Sequence, residues 1–155
     1  MVTNVVLAGL GGQGVVKASD ILAEVAFAAG CDVKKSELHG MSQRGGSVSS
    51  DVRFGEAVLS PMVPAGAADL LVVQAAEEVE GNQGRLRPGG VLITAGEVDV
   101  TQLSNKRSLN VALLGVLSRH LPFSPELWAE AIRHNLPENL HEANLQAFAL
   151  GRGTA

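Results

Sequence analysis

Short apolar runs alternate with longer stretches of helical periodicity along this chain. Continuous apolar runs at residues 5–8, 70–73 and 91–94 are typical of strands that are buried on both faces. Apolar residues recur at helical spacing in residues 15–29, and further helices are expected at 75–86, 109–121, 124–135 and 137–151. Strands that alternate with helices predict an α/β fold, here with three layers, α/β/α.

One strand candidate has a different pattern. Residues 47–54 alternate between apolar and polar side chains, which predicts a strand with one buried face and with Asp51 on the other face. Gly55 and Glu56 could turn the chain back into a strand at 57–59, forming a hairpin. A weaker strand is expected at 31–35. The sheet should therefore be mixed and mostly parallel, within a single domain over residues 1–155.

A glycine-rich segment connects the first strand to the first helix. Gly9, Gly11 and Gly14 satisfy the G-x-G-x-x-G spacing, and backbone N–H groups converge at a helix N-terminus, where an anion can approach glycine closely. Asp32 follows the glycines at about the sequence separation expected of an acidic residue that binds the ribose of a dinucleotide, although it precedes the apolar part of its strand. A dinucleotide site and a tight turn without a ligand are both open interpretations.

A second segment, residues 36–47, concentrates polar side chains and glycines. Arg44 is a bidentate donor suited to phosphate or carboxylate, while Glu37 and His39 could pair with each other or contact a partner chain. The alternative is a long surface loop with a solvated arginine. The candidate ligand-binding residues are therefore Gly11, Gly12, Gln13, Gly14, Ser42, Gln43, Arg44, Gly45 and Gly46, and the candidate partner contacts are Glu37, His39 and Met41.

Composition excludes several classes of function. The chain has 12 basic and 16 acidic residues, a net charge of −4, and no basic run, which argues against nucleic-acid binding. The single cysteine, Cys31, cannot form an internal disulfide or hold an iron–sulfur cluster alone. Three histidines lack metal-ligand spacing and no nucleophile–base pair can be named, so we expect no metal site and no catalytic residue. No apolar run approaches the roughly 20 residues of a membrane span, and we expect a cytoplasmic protein.

The two glycine-rich segments, in this order, resemble the gamma subunit of the 2-oxoacid:ferredoxin oxidoreductases, in particular the small subunit of the indolepyruvate type. The run at 36–46 is the specific part of the resemblance. Members of this family usually carry more residues between the 91–94 strand and Asn105 than this chain does. The matching segments are 11–14, 36–46, 52–55, 66–69, 88–91, 105–115 and 142–144.

The resemblance implies oxidative decarboxylation of a 2-oxoacid to an acyl-coenzyme A, with electrons passed to ferredoxin. Thiamine diphosphate, iron–sulfur clusters and coenzyme A serve that reaction, and this chain has neither a Gly-Asp-Gly thiamine motif nor cluster cysteines. Larger subunits should therefore carry those cofactors, and the chain alone should be inactive. It would supply assembly and part of the coenzyme A side or of the thiamine pocket, and an isolated chain could form a homodimer.

Two alternatives remain at this point. The chain could be a free-standing nucleotide- or NAD-binding module of Rossmann-like type, or an interaction scaffold whose glycine loops contact only protein.

Overall fold

The computed structural model describes residues 1–40 and 46–154, and a five-stranded sheet lies at its centre. Its strands are β1 (Val2–Leu10), β2 (Asp32–His39), β3 (Ser47–Gly55), β4 (Ala68–Val73) and β5 (Leu86–Thr94), in the spatial order β2-β3-β1-β4-β5. β3 is antiparallel to both of its neighbours, whereas β1, β4 and β5 are parallel. Four of the five strands thus run in one direction, which confirms the mixed sheet and the α/β class.

Helices cover the two faces of the sheet unequally. They are α1 (Val15–Ala28), α2 (Val79–Asn82), α3 (Leu109–Ser118), α4 (Pro125–Asn135) and α5 (His141–Arg152). α1 and α3 pack on the face to which Val5 and Leu7 point, α4 packs on α1, and α5 packs on α3. The opposite face, with Val6 and Ala8, is covered by α2 and by the segment at 56–67. This second helical layer is thin because α2 has only four residues.

The predicted hairpin at 57–59 is wrong. Residues 57–59 form no strand, and β3 pairs with β2 and β1 instead. Side chains from the sheet bind the backbone groups that a hairpin would need: the Val58 N–H donates to an Asp32 carboxylate oxygen at 2.8 Å, and the Arg53 guanidinium donates to the Ser60 carbonyl at 2.8 Å. The segment therefore lies across the sheet and does not extend it.

The outward face of β3 is also more buried than the alternating pattern predicts. Asp51 is only 4% exposed because Arg85 covers it, donating to both carboxylate oxygens at 2.9 and 2.8 Å. The Val63 N–H donates to the same carboxylate at 2.9 Å. A carboxylate that accepts three hydrogen bonds can be buried at little cost, so β3 is covered on both faces.

The helix predicted at 75–86 is broken into a 3₁₀ turn (Ala76–Glu78), α2 and a second 3₁₀ turn (Gln83–Arg85). Glycines at 81 and 84 lower the helix propensity by about 1 kcal/mol each, and Val79 is the main apolar anchor of the segment. Elsewhere the helix signals are confirmed: Ser124 caps α4, Pro125 is its first residue, and Gly30 (φ 96°) follows the end of α1.

α3 and α5 approach each other so closely that their backbones touch. A Cβ atom built on Gly151 would overlap the Ala112 carbonyl oxygen, and one built on Gly115 would overlap the Phe148 carbonyl oxygen. Both glycines are needed for this helix pair, because any side chain would push the two helices apart. None of the described helices is long and apolar enough to cross a membrane.

Candidate functional site

The carboxyl ends of four strands meet at one edge of the sheet, which we call the carboxyl edge. The glycine turn at 11–14 follows β1, Gln74 follows β4, and the connection between β2 and β3 begins and ends here because β3 runs in the opposite direction. Ligands of open α/β sheets bind at this edge, since the loops and helix N-termini converge there. The glycine turn and the described ends of the second segment therefore lie at the same edge of the sheet.

The glycine turn leaves backbone donors available at the start of α1. Gly12 and Gly14 have φ angles of 88° and 78°, which other residues rarely adopt. Among the described residues, no side chain caps α1, no acidic residue lies in its first turn, and the N–H groups of Gly12 and Gly14 have no acceptor. The positive end of a 14-residue helix is thus open to an anion.

The second segment contacts the first through Gly46. The Gly11 N–H donates to the Gly46 carbonyl at 2.8 Å, and the Gly40 N–H donates to the Ser47 carbonyl at 2.6 Å. Gly46 is thereby brought to the glycine turn, next to the candidate residues of the first segment. The other candidates of this segment (Met41, Ser42, Gln43, Arg44 and Gly45) lie outside the described residues, and their roles stay predictions.

Glu37 and His39 lie at the end of β2, on the face that α1 covers. Glu37 accepts a hydrogen bond from Lys35 at 2.7 Å and lies 3.6 Å from the His39 ring. The hydrogen bond from Lys35 lowers the pKa of Glu37. Burial alone would lower the pKa of Lys35, but the neighbouring carboxylates of Glu37 and Asp20 together have a larger effect and raise it. These ion pairs are internal to the chain, and the predicted contact with a partner is not tested by them.

A cavity of about 460 Å³ lies beside the glycine turn, and it is lined by two cations that belong to neither glycine-rich segment. Lys106 and Arg107 are exposed and belong to a 3₁₀ turn that leads into α3. The Asn105 side chain accepts the Arg107 N–H at 2.9 Å and so shapes this turn. The residues around the cavity are Gly12, Gln13, Gly14, Gln74, Lys106, Arg107 and Leu109.

The sequence alone could not have placed these cations, because more than 90 residues separate them from the glycine turn. Their only local signal is a basic pair directly before a helix. In the folded chain, two positive side chains and a helix N-terminus surround one cavity, an arrangement suited to phosphate. It lies in a chain whose overall net charge is −4, so the positive charge is a local feature.

Asp32 does not take the position of a ribose ligand. It is the first residue of β2 and therefore lies at the opposite end of that strand from the carboxyl edge, on the order of 23 Å away at about 3.3 Å per residue. Its carboxylate accepts the Val58 N–H, which lowers its pKa. In addition, β3 separates β1 from β2, whereas a dinucleotide fold pairs its first two strands directly.

No group of three or more His, Cys, Asp or Glu residues suited to a metal occurs within residues 1–40 and 46–154. Cys31 is partly buried and packs against the main core.

Comparisons with known proteins identify the family. The chain is 33% identical to the indolepyruvate oxidoreductase subunit IorB of Thermococcus kodakarensis, over 96% of this chain and 93% of the relative. It is 34% identical to the ketoisovalerate oxidoreductase subunit VorA of Methanothermobacter marburgensis, over 76% of this chain and 24% of the relative. The IorB alignment spans 188 positions, more than the 155 residues here, so that relative contains residues this chain lacks.

Solved structures share the fold. The gamma subunit of a keto/oxoacid ferredoxin oxidoreductase from Geobacter sulfurreducens superimposes with a TM-score of 0.82 at 22% identity, covering 99% of this chain and 96% of that one. A 2-oxoglutarate:ferredoxin oxidoreductase from Magnetococcus marinus gives 0.81 at 21% identity, and this chain covers 31% of that longer chain. A model of the family described as pyruvate ferredoxin/flavodoxin oxidoreductase matches residues 4–154. The chain belongs to this family, as a subunit of an oxidoreductase complex that acts on 2-oxoacids.

Proposed function

We propose that this chain is the small subunit of an oxidoreductase that converts an aryl 2-oxoacid of the indolepyruvate type and coenzyme A into an acyl-coenzyme A, with ferredoxin as electron acceptor. The observation that carries the substrate class is the match to IorB, which extends over nearly the full length of both chains. The VorA match covers less of this chain and only a quarter of that relative, so it supports the reaction type more than the substrate.

Larger subunits of the same complex would hold thiamine diphosphate and the iron–sulfur clusters. A single cysteine cannot supply the roughly four thiolates that such a cluster needs. Thiamine diphosphate bound by those subunits would supply the chemistry for decarboxylation of the 2-oxoacid. The residues of this chain would contribute binding and orientation at one side of the shared site.

The carboxyl edge is the surface that we assign to the coenzyme A side. Coenzyme A carries a diphosphate and a ribose phosphate, all of which are anionic at neutral pH. The open N-terminus of α1 offers backbone donors, and Lys106 and Arg107 offer exposed cations on another side of the 460 Å³ cavity. The Magnetococcus marinus enzyme was solved with coenzyme A bound, which supports the ligand class for the family but not the residues in this chain.

The partner assignment is tested by anaerobic affinity purification of the tagged chain from its native cells. We expect larger chains to co-purify, with bound thiamine diphosphate and iron. Turnover should be faster with indolepyruvate than with pyruvate or a branched-chain 2-oxoacid. Recovery of the chain alone, without either cofactor, would contradict the proposal.

The ligand assignment is tested by replacing both cations in the purified complex. The Lys106→Ala, Arg107→Ala double variant should raise the KM for coenzyme A by about tenfold or more, since each charge-assisted contact is worth roughly 1.5–3 kcal/mol. The KM for the 2-oxoacid should not change. Arg119→Ala is the matched control, because Arg119 is also exposed and follows the other end of α3. Equal KM values for wild type and double variant would refute this assignment.

A further inference from the structure

Two buried amide side chains from distant parts of the chain hold the carbonyl groups of the glycine turn. Asn110, in the first turn of α3, donates from Nδ2 to the Gly14 carbonyl at 3.1 Å. Gln74, directly after β4, donates from Nε2 to the Gln13 carbonyl at 3.0 Å. Each of these two side chains is only 8% exposed. Three separate elements therefore fix one turn.

These hydrogen bonds determine where the neighbouring N–H groups point. In a trans peptide, the carbonyl of one residue and the N–H of the next point in opposite directions. Holding the Gln13 carbonyl against Gln74 therefore directs the Gly14 N–H away from Gln74. The Gly14 carbonyl also accepts the Ala18 N–H at 3.0 Å, so Asn110 and the first hydrogen bond of α1 together direct the Val15 N–H out of the N-terminus of the helix.

Asn110 lies directly against the glycine turn. A Cβ atom at position 14 would lie 2.5 Å from Asn110 Nδ2, so the amide rests directly on the glycine. The side chain of Gln13 adds a third constraint, since its Oε1 accepts the Leu10 N–H at 2.7 Å. Neutral amides suit this task because they donate to a carbonyl without placing a competing charge beside an anion.

We infer that Asn110 and Gln74 are positioning residues, which orient the Gly14 and Val15 N–H groups toward a bound phosphate. This inference rests on the proposed function, in which the glycine turn binds coenzyme A. It goes further by assigning the precision of the site to two residues that lie outside both glycine-rich segments and contact the turn from other elements. Their loss should weaken coenzyme A binding and leave the chemistry on the 2-oxoacid unchanged.

The test uses the complex with its larger subunits and the variants Asn110→Ala and Gln74→Ala. Each should raise the KM for coenzyme A by about tenfold, the effect of one misdirected hydrogen bond. The kcat at saturating coenzyme A and the KM for the 2-oxoacid should stay within about twofold of wild type. Asn144→Ala is the matched control: Asn144 is 6% exposed and donates from Nδ2 to the Leu140 carbonyl at 2.9 Å, in α5. It should leave the KM for coenzyme A unchanged.

The outcomes separate this inference from the proposed function. If the cation double variant raises the KM for coenzyme A and neither amide variant does, the positioning role is wrong and the proposed function stands. If none of the three changes that KM, both are wrong. A parallel fall in every kinetic constant, shared by Asn144→Ala, would show a general loss of stability and would also overturn the positioning role.

Should the alanine variants fail to assemble, Asn110→Asp and Gln74→Glu retain the shape of each side chain. A carboxylate cannot donate to the turn and repels an anion, so the KM for coenzyme A should rise by more than about tenfold. An unchanged KM in assembled complexes of these variants would refute the inference.

Discussion

Gly151 gives a sharp test of the packing between α3 and α5, because two effects of Gly151→Ala have opposite signs. Gly151 lies inside α5, where helix propensity alone favours alanine by about 1 kcal/mol. The packing argument opposes this gain. A Cβ at this position would overlap the Ala112 carbonyl oxygen and approach the Val116 nitrogen to 3.1 Å.

The magnitude follows from what must move. Neither obstacle is the end of a flexible side chain, since both belong to the backbone of α3, so the helices themselves must separate. A gap of about 0.5–1 Å already forfeits a quarter to a half of the dispersion energy across a contact. Ala147 and Phe148 are core residues of α5, the helix that contains Gly151, and they would lose contacts when the two helices separate. Overpacking of this kind costs about 1–3 kcal/mol and occasionally more, and backbone obstacles place the expected cost at about 3 kcal/mol.

The assay is thermal unfolding of the purified chain, with urea unfolding as a second measure. After the gain of about 1 kcal/mol in helix propensity, a net loss of about 2 kcal/mol should lower Tm by about 4–8 °C in a chain of this size. Gly81→Ala is the matched control, since Gly81 is also helical, has no positive φ, and would have no atom within 4 Å of an added Cβ. That variant should keep the wild-type Tm or raise it slightly.

A Gly151→Ala chain with a Tm equal to or above that of the wild type would refute the reasoning. It would mean that α5 can shift on α3 without cost, and that the close approach of the two helices is not required.

Two further predictions concern polar groups. The Ser50 hydroxyl is fully buried and has no hydrogen-bond partner among the described residues, so Ser50→Ala should leave the free energy of urea unfolding unchanged or raise it by about 1 kcal/mol. Ser118→Ala should instead lower it by about 1–3 kcal/mol, because that hydroxyl donates to Gly115 and accepts from Arg152; equal effects in both variants would contradict the argument. The lowered pKa of Glu37 means that its ionised form stabilises the fold at neutral pH and that this contribution is lost as the pH falls through the lowered pKa. The stability difference between wild type and Glu37→Gln should therefore shrink on acidification, and a difference independent of pH would count against the Lys35 pair.

The parts of the fold that the sequence predicted are those set by local chemistry. The glycine turn, the cap at Ser124 and the buried strands depend on neighbours in the chain, and each is present. The predicted hairpin at 57–59 does not form because Asp32 of β2 and Arg53 of β3 bind the segment that follows β3 across the sheet. The local sequence of 57–59 does not contain these partners. The burial of Asp51 depended in the same way on Arg85, which is 34 residues away.

The candidate site also combines residues that local sequence motifs identify with residues that only the fold brings there. The structure places Gly11, Gly12, Gln13, Gly14 and Gly46 at one edge, although no pattern in the sequence indicated that the two segments meet. Lys106, Arg107, Gln74 and Asn110 reach that edge only through the order of the strands and the direction of α3, which no local pattern encodes.

The reversed direction of β3 has a consequence for how this family can diversify. Because β2 and β3 are antiparallel neighbours, the chain between Gly40 and Gly46 needs no crossover helix, and the Gly40–Ser47 hydrogen bond closes the ladder beneath it. Residues can be gained, lost or exchanged in this connection without changing strand register or the packing of any helix. Changes in the length of this connection therefore leave in place the layers that the Geobacter sulfurreducens gamma subunit shares with this chain at 22% identity.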